Sequence, residues 1–221
     1  MKQLIKENKY FFVPFLLFLT STIVLLLSYT RPELHILSNK ANRPFFDQFF
    51  KYATYFGDGI MIAVIAAVLL FVSFRNTIAF LIGSLSASVL VQLFKKVLLE
   101  DMYRPSKYFE LHETYRLHLI EGVKLHSLHS FPSGHTTTAF NVFLMLSIVV
   151  KNRLLKLLCL LLAVIVAYSR VYLSQHFLID ITVGSIIGIV FILLAVWWSN
   201  TWEKDWLDKS VLTVSKSSND K

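Results

Sequence analysis

Between Phe11 and Tyr29 the chain contains no charged residue. A run of that length is close to the roughly 20 mostly apolar residues that a helix needs to cross the hydrocarbon layer of a membrane. Five more candidate spans follow, at about Gly59–Phe74, Thr77–Leu99, Thr136–Val150, Leu154–Ser169 and Ile179–Ser199. Composition agrees: 55% of the 221 residues are apolar and 16% are charged, against about 25% charged in an ordinary soluble domain. The sequence therefore predicts an all-α integral membrane helical bundle of about six transmembrane helices. The bundle is expected to occupy residues 1–209 as one domain, with 210–221 a polar, disordered tail.

Other features narrow the class. Cys159 is the one cysteine and lies inside an apolar run, so an intramolecular disulfide is excluded and buried packing is expected. The net charge of +8 suits anionic headgroups or phosphorylated substrates, and basic membrane flanks account for it equally well. Basic residues are scattered between the spans without forming a stripe, so nucleic acid is not expected as a partner. No small-residue cleavage site follows the first run near Tyr29, so it reads as a retained span. Lys2, Lys6, Lys9, Lys151, Arg153 and Lys156 crowd short segments at one side, which predicts cytoplasmic termini. The two long segments Thr30–Asp58 and Glu100–His135 then face the outside, and connections of that length usually carry function.

Three polar clusters fall on that outer side. Lys95-Lys96 and Arg104-Pro105 bring positive charge, which at a membrane boundary also serves as ordinary lipid anchoring. Pro132-Ser133-Gly134-His135 forms a tight entry into a helix, whose first N–H groups have no intrahelical partner and suit an anion. Its bland reading is a capping turn with an incidental histidine. Ser169-Arg170, His176 and Asp180 form the third cluster. His176 and Asp180 are four residues apart, which on a helix places them on one face, with the carboxylate able to fix the imidazole tautomer. Arg170 adds a planar fork of donors suited to phosphate oxygens. A simple ion pair at a span end is the alternative, but an acid entering an apolar span is costly without a purpose.

With these residues the chain resembles the type 2 phosphatidic acid phosphatase family, a relative of bacterial acid phosphatases and vanadium haloperoxidases. The Pro-Ser-Gly-His motif at 132–135 matches fully, as does Ser169-Arg170, five residues, His176, three residues, Asp180. The first motif departs from the family spacing. Seven residues separate Lys96 from Arg104 and eight separate Lys95, where the family has six, and the expected lysine position holds Val97. A local bulge at the helix end absorbs the surplus and leaves open which lysine is used.

The resemblance implies that His176 attacks phosphorus with Asp180 orienting it. His135 protonates the leaving group and then activates water. Lys95 or Lys96, Arg104, Ser133, Gly134 and Arg170 hold the phosphoryl oxygens. It implies no metal and no cofactor, and a lipid phosphate as substrate: undecaprenyl pyrophosphate, phosphatidylglycerol phosphate, phosphatidic acid or a lipid A phosphate. The expected setting is a bacterial inner membrane with the site on its outer face. A phosphotransferase using the same phosphohistidine, or a non-catalytic lipid-phosphate carrier, are the alternatives; oligomeric state is not legible. His112, His118, His126 and His129 crowd the 100–131 loop without standard zinc spacing, and Gly184 and Gly188 read as a close helix approach.

Overall fold

The computed structural model describes residues 1–214, and ten α-helices account for most of them. Two helices near the N-terminus, α1 (Lys2–Glu7) and α2 (Lys9–Ser28), are followed by α3 (Arg31–Lys40) and α4 (Pro44–Ala53). A 3-10 turn (Thr54–Gly57) leads from α4 into α5 (Ile60–Leu70), and α6 (Phe74–Leu93) ends in a π-helical turn (Phe94–Leu98). Then come α7 (Pro105–His112), α8 (Gly134–Val149), α9 (Arg153–Tyr172) and α10 (Leu178–Ser199). Among the described residues there is no strand. Residues 215–221, most of the tail expected to be disordered, lie outside the described residues, while 211–214 form a helical turn.

All six apolar segments are helical near their expected positions. Four of them, α2, α6 with its π turn, α9 and α10, are long and apolar enough to cross a membrane alone. The other two are shorter than a helix that crosses the layer alone. α8 has 16 residues, or about 24 Å at 1.5 Å per residue against a layer of about 30 Å. α5 reaches span length only together with α4 and the 3-10 turn, across a bend of 59°. The stretches predicted as loops are also more ordered: α3 and α4 fill most of 30–58, and α7 sits inside 100–131.

Local chemistry explains the boundaries. Thr30 and Glu33 form a reciprocal capping box at the start of α3, and Ser73, Ser133 and Asn152 cap α6, α8 and α9. α2 begins at Lys9, so Pro14 lies inside the helix and not in its first turn. α8 is the central helix: Ala139, Phe140, Val142, Leu144 and Met145 are all fully buried, as expected of a helix apolar on every side. Gly184 and Gly188 let α10 press against it. A Cβ on Gly184 would lie 2.7 Å from the Ser133 carbonyl oxygen, and one on Gly188 would lie 2.7 Å from that of Thr137. Cys159 is buried, as expected.

The end of the bundle holding the N-terminus is closed by polar locks. The buried Lys156 ammonium donates to Asn8 Oδ1 (2.6 Å) and to the Ser147 carbonyl (2.9 Å). Arg75 pairs with Asp208 at 2.6 Å, and the Phe74 amide donates to the Lys209 carbonyl. Both locks tie starts or ends of helices whose opposite termini carry the three motifs.

Candidate active site

At the opposite end of the bundle, the π turn after α6, the start of α8, the end of α9 and the connection that follows it converge on a cavity of about 320 Å³. His176 lies in the short connection between α9 and α10. The amides of Gln175 and His176 both donate to the Arg170 carbonyl, folding that connection back over the end of α9. Its imidazole Nδ1 is 3.2 Å from Asp180 Oδ2, and both side chains are almost fully buried. A carboxylate only accepts here, so Nδ1 carries the proton and Nε2 keeps its lone pair. Burial holds His176 well below the ordinary histidine range, and the charges of Arg104, Lys95 and Arg170 push the same way. The ring is therefore neutral near pH 7.

Asp180 sits in the first turn of α10, and its Oδ2 collects two further donors. The Phe177 amide lies at 3.0 Å and the Ser130 hydroxyl at 2.5 Å. Ser130 was not singled out by the sequence, because nothing in its spacing relates it to Asp180, 50 residues away.

The cationic side chains arrive from three directions. Lys95, Arg104 and Arg170 all line the cavity, together with Gly134, His135 and His176. Arg104 is fixed by donating Nε to the Leu128 carbonyl (3.0 Å) and a terminal nitrogen to Gln175 Oε1 (3.0 Å). Arg170 donates to Thr54 Oγ1 at 2.6 Å, and its buried Nε has no protein partner. Burial lowers the Arg104 guanidinium from its ordinary value, with Asp180 opposing, yet a guanidinium stays charged at any physiological pH. The first amides of α8, those of Gly134 and His135, precede the first intrahelical bond, Thr137 N–H to the Ser133 carbonyl. They complete an anion-binding helix start.

The π turn takes up one of the two extra residues between Lys95 and Arg104. The Leu99 amide reaches back five residues to the Phe94 carbonyl, and Lys95 turns into the cavity while Lys96 stays exposed outside it. Ser133 also lies outside the cavity wall. Its hydroxyl is fully buried and caps α8, accepting from the Thr136 hydroxyl (2.9 Å) and the Thr136 amide. His135 lies at the mouth, with Nε2 2.7 Å from Asp58 Oδ1. Asp58, Thr54 and Gln175 were missed by the sequence reading. Asp58 carried a usable signal, since it is an acid at the entrance of an apolar span, the same feature that drew attention to Asp180.

The loop histidines disperse. His118 pairs with Asp47, His129 Nδ1 contacts the Lys95 carbonyl, and His126 lines the cavity, where burial and then Arg104 keep its pKa low.

The family model described as the PAP2 superfamily matches residues 76–204, more than half of the chain and all three motifs. The chain belongs to the PAP2 superfamily. Two solved PAP2-like structures resemble it. LpxE from Aquifex aeolicus superposes with a TM-score of 0.66 at 26% identity, covering 76% of this chain and 96% of that one. A transmembrane PAP2-type phosphatidylglycerolphosphate phosphatase from Bacillus subtilis gives a TM-score of 0.62 at 20% identity, covering 90% of this chain and 98% of that one. A comparison with curated proteins finds no match. This PAP2 member is thus an integral membrane protein of the phosphatase superfamily, as the sequence predicted.

Proposed function

We propose that the protein is a lipid phosphatase that works through a phosphohistidine on His176. The observation that carries this reading is one cavity with two kinds of wall. His176, His135, Lys95, Arg104 and Arg170 form its reactive side. Ile62 of α5 and Val91 of α6 form the other, on helices of the membrane bundle. A phosphate entering from the bilayer keeps its tail against the apolar wall while its oxygens meet the cations.

In the first step His176 Nε2 forms the P–N bond as the P–O bond to the lipid breaks, and His135 gives its proton to the leaving oxygen. Lys95, Arg104, Arg170 and the α8 amides stabilise charge on the equatorial oxygens. In the second step neutral His135 takes a proton from water, whose oxygen attacks phosphorus as the P–N bond breaks. Cationic side chains supply the electrostatic work, so chelators are expected to leave turnover unchanged.

The motif-bearing end lies opposite the N-terminus, and the basic residues near the termini support an outward-facing site in a bacterial inner membrane. The test is phosphate release by purified protein from a panel covering phosphatidic acid, phosphatidylglycerol phosphate, undecaprenyl pyrophosphate and a lipid A phosphate, with chelator present. Release lost in His176→Ala, together with an acid-labile phosphoenzyme in the parent, supports the reading. A folded parent protein that releases nothing from any lipid refutes it. Turnover seen only with a second hydroxyl-bearing lipid moves the assignment to a transferase.

A further inference from the structure

His135 has to be an imidazolium to protonate a leaving alkoxide, yet it stands among positive charges. Lys95 from the π turn, Arg104 from the start of α7, Arg170 from α9, and the rings of His126 and His176 share its cavity. Each cation disfavours a further positive charge nearby. Among the described residues, the one acid within ion-pair distance of His135 is Asp58, at 2.7 Å from Nε2. Asp180 is the other acid of this region, and its Oδ2 is already taken by Ser130, His176 and the Phe177 amide.

The backbone holds Asp58 in place. The 3-10 turn Thr54–Gly57 is wedged between α8 and α9: Thr54 receives Arg170, and Gly57 lies so close to α8 that an added Cβ would be 2.7 Å from the His135 carbonyl oxygen. Asp58 follows immediately. Its side chain is 36% exposed and also lines a second cavity of about 250 Å³, with Lys51, Tyr55 and Lys124, which shares His135 and Arg170 with the first.

We infer that Asp58 is the positioning residue of the acid–base histidine, an inference resting on the phosphatase reading above. In the substrate-free protein its carboxylate holds the place at His135 Nε2 that the leaving oxygen takes during reaction. It aims the imidazole and offsets part of the surrounding positive charge while the site is empty. When substrate binds, it swings toward the second cavity, and the Nε2 proton passes to the leaving oxygen as the P–O bond breaks. No atom or electron is left over, and Asp58 itself remains a carboxylate.

The test compares two leaving groups in Asp58→Asn and Asp58→Glu. Cleavage of a lipid phosphomonoester expels a poor leaving group that needs the proton, whereas p-nitrophenyl phosphate expels one that does not. For Asp58→Asn, kcat/KM on phosphatidic acid is expected to fall about 30-fold or more, part of the roughly 10²–10⁴ that general acids contribute. On p-nitrophenyl phosphate the expected loss is less than about 3-fold. The alkaline limb of kcat/KM against pH should move to lower pH, because the imidazolium loses its counter-charge. Asp58→Glu should restore part of both effects. Equal losses on the two substrates with an unmoved alkaline limb would show a merely structural role and overturn the inference, as would an unimpaired Asp58→Asn. A parent protein inactive on both substrates would overturn the phosphatase reading and this inference with it.

Discussion

Arg104 donates to the side-chain oxygen of Gln175 at 3.0 Å, so a cavity-lining cation is steered by the residue next to His176. Gln175 in turn donates to the Lys124 carbonyl at 3.1 Å, which ties the 100–131 loop to the same point. A hydrogen bond to a charged group contributes about 1.5–3 kcal/mol. Gln175→Leu is therefore expected to lower kcat/KM at least roughly 10-fold and to lower the melting temperature as well. Steady-state kinetics on the preferred lipid phosphate, alongside a melting curve, checks this.

Lys95 and Lys96 are adjacent in sequence, and the first lines the cavity while the second is exposed outside it. Removing one charge-stabilising donor from a transition state typically costs about 10²–10³ in rate, and Lys95→Ala should show a loss of that order. Lys96→Ala removes an exposed charge outside the cavity and should stay within about 3-fold, the scale of a surface interaction. Similar losses in both variants would contradict the geometry of the π turn.

Gly57 has no room for a side chain. Its hypothetical Cβ meets the His135 carbonyl oxygen at 2.7 Å and the Val166 side chain at 2.9 Å. Gly57→Ala must push the 3-10 turn away from α8, at an overpacking cost of about 1–3 kcal/mol. The expected result is a lower melting temperature and reduced turnover together. Retained activity and stability would mean that the turn yields without disturbing His135.

His35 gives a pH signature that involves no catalytic step. It is buried in α3 between the rings of Phe109 and Phe177, its Nε2 lies 3.1 Å from Ser174 Oγ, and burial lowers its pKa to about 4. In the unfolded chain the pKa returns to about 6.5. Between those values the unfolded state binds more protons, so stability falls as pH drops from about 6.5 towards 4. The full window corresponds to roughly 3 kcal/mol for this group. Melting curves in detergent across that range should show the decline, and His35→Phe should flatten it.

The bundle and the His176–Asp180 contact were legible because their physics is local or periodic. Apolar run length marks the spans, and four-residue spacing marks His176 and Asp180. Span length was less legible at α5, which ends at Leu70 and not at the expected Phe74. Lys95 could not be separated from Lys96 on paper, since a π turn changes which way each residue points without a sequence mark of its own. Ser130, Thr54 and Gln175 act through contacts across 50 to 116 residues, which no spacing rule reaches. Ser133 shows the reverse case. Its motif was plain, while its hydroxyl serves the α8 cap in this structure.

The locks at the far end of the bundle bear on how such a protein can diversify. Lys156 with Asn8, and Arg75 with Asp208, fasten the helices where no chemistry is carried. The segments 30–58 and 100–131 frame the other end, and their identity contributes nothing to those fastenings. New headgroup preferences can therefore arise by rewriting the rim while the foundations stay as they are, much as antibodies vary loops on a fixed framework.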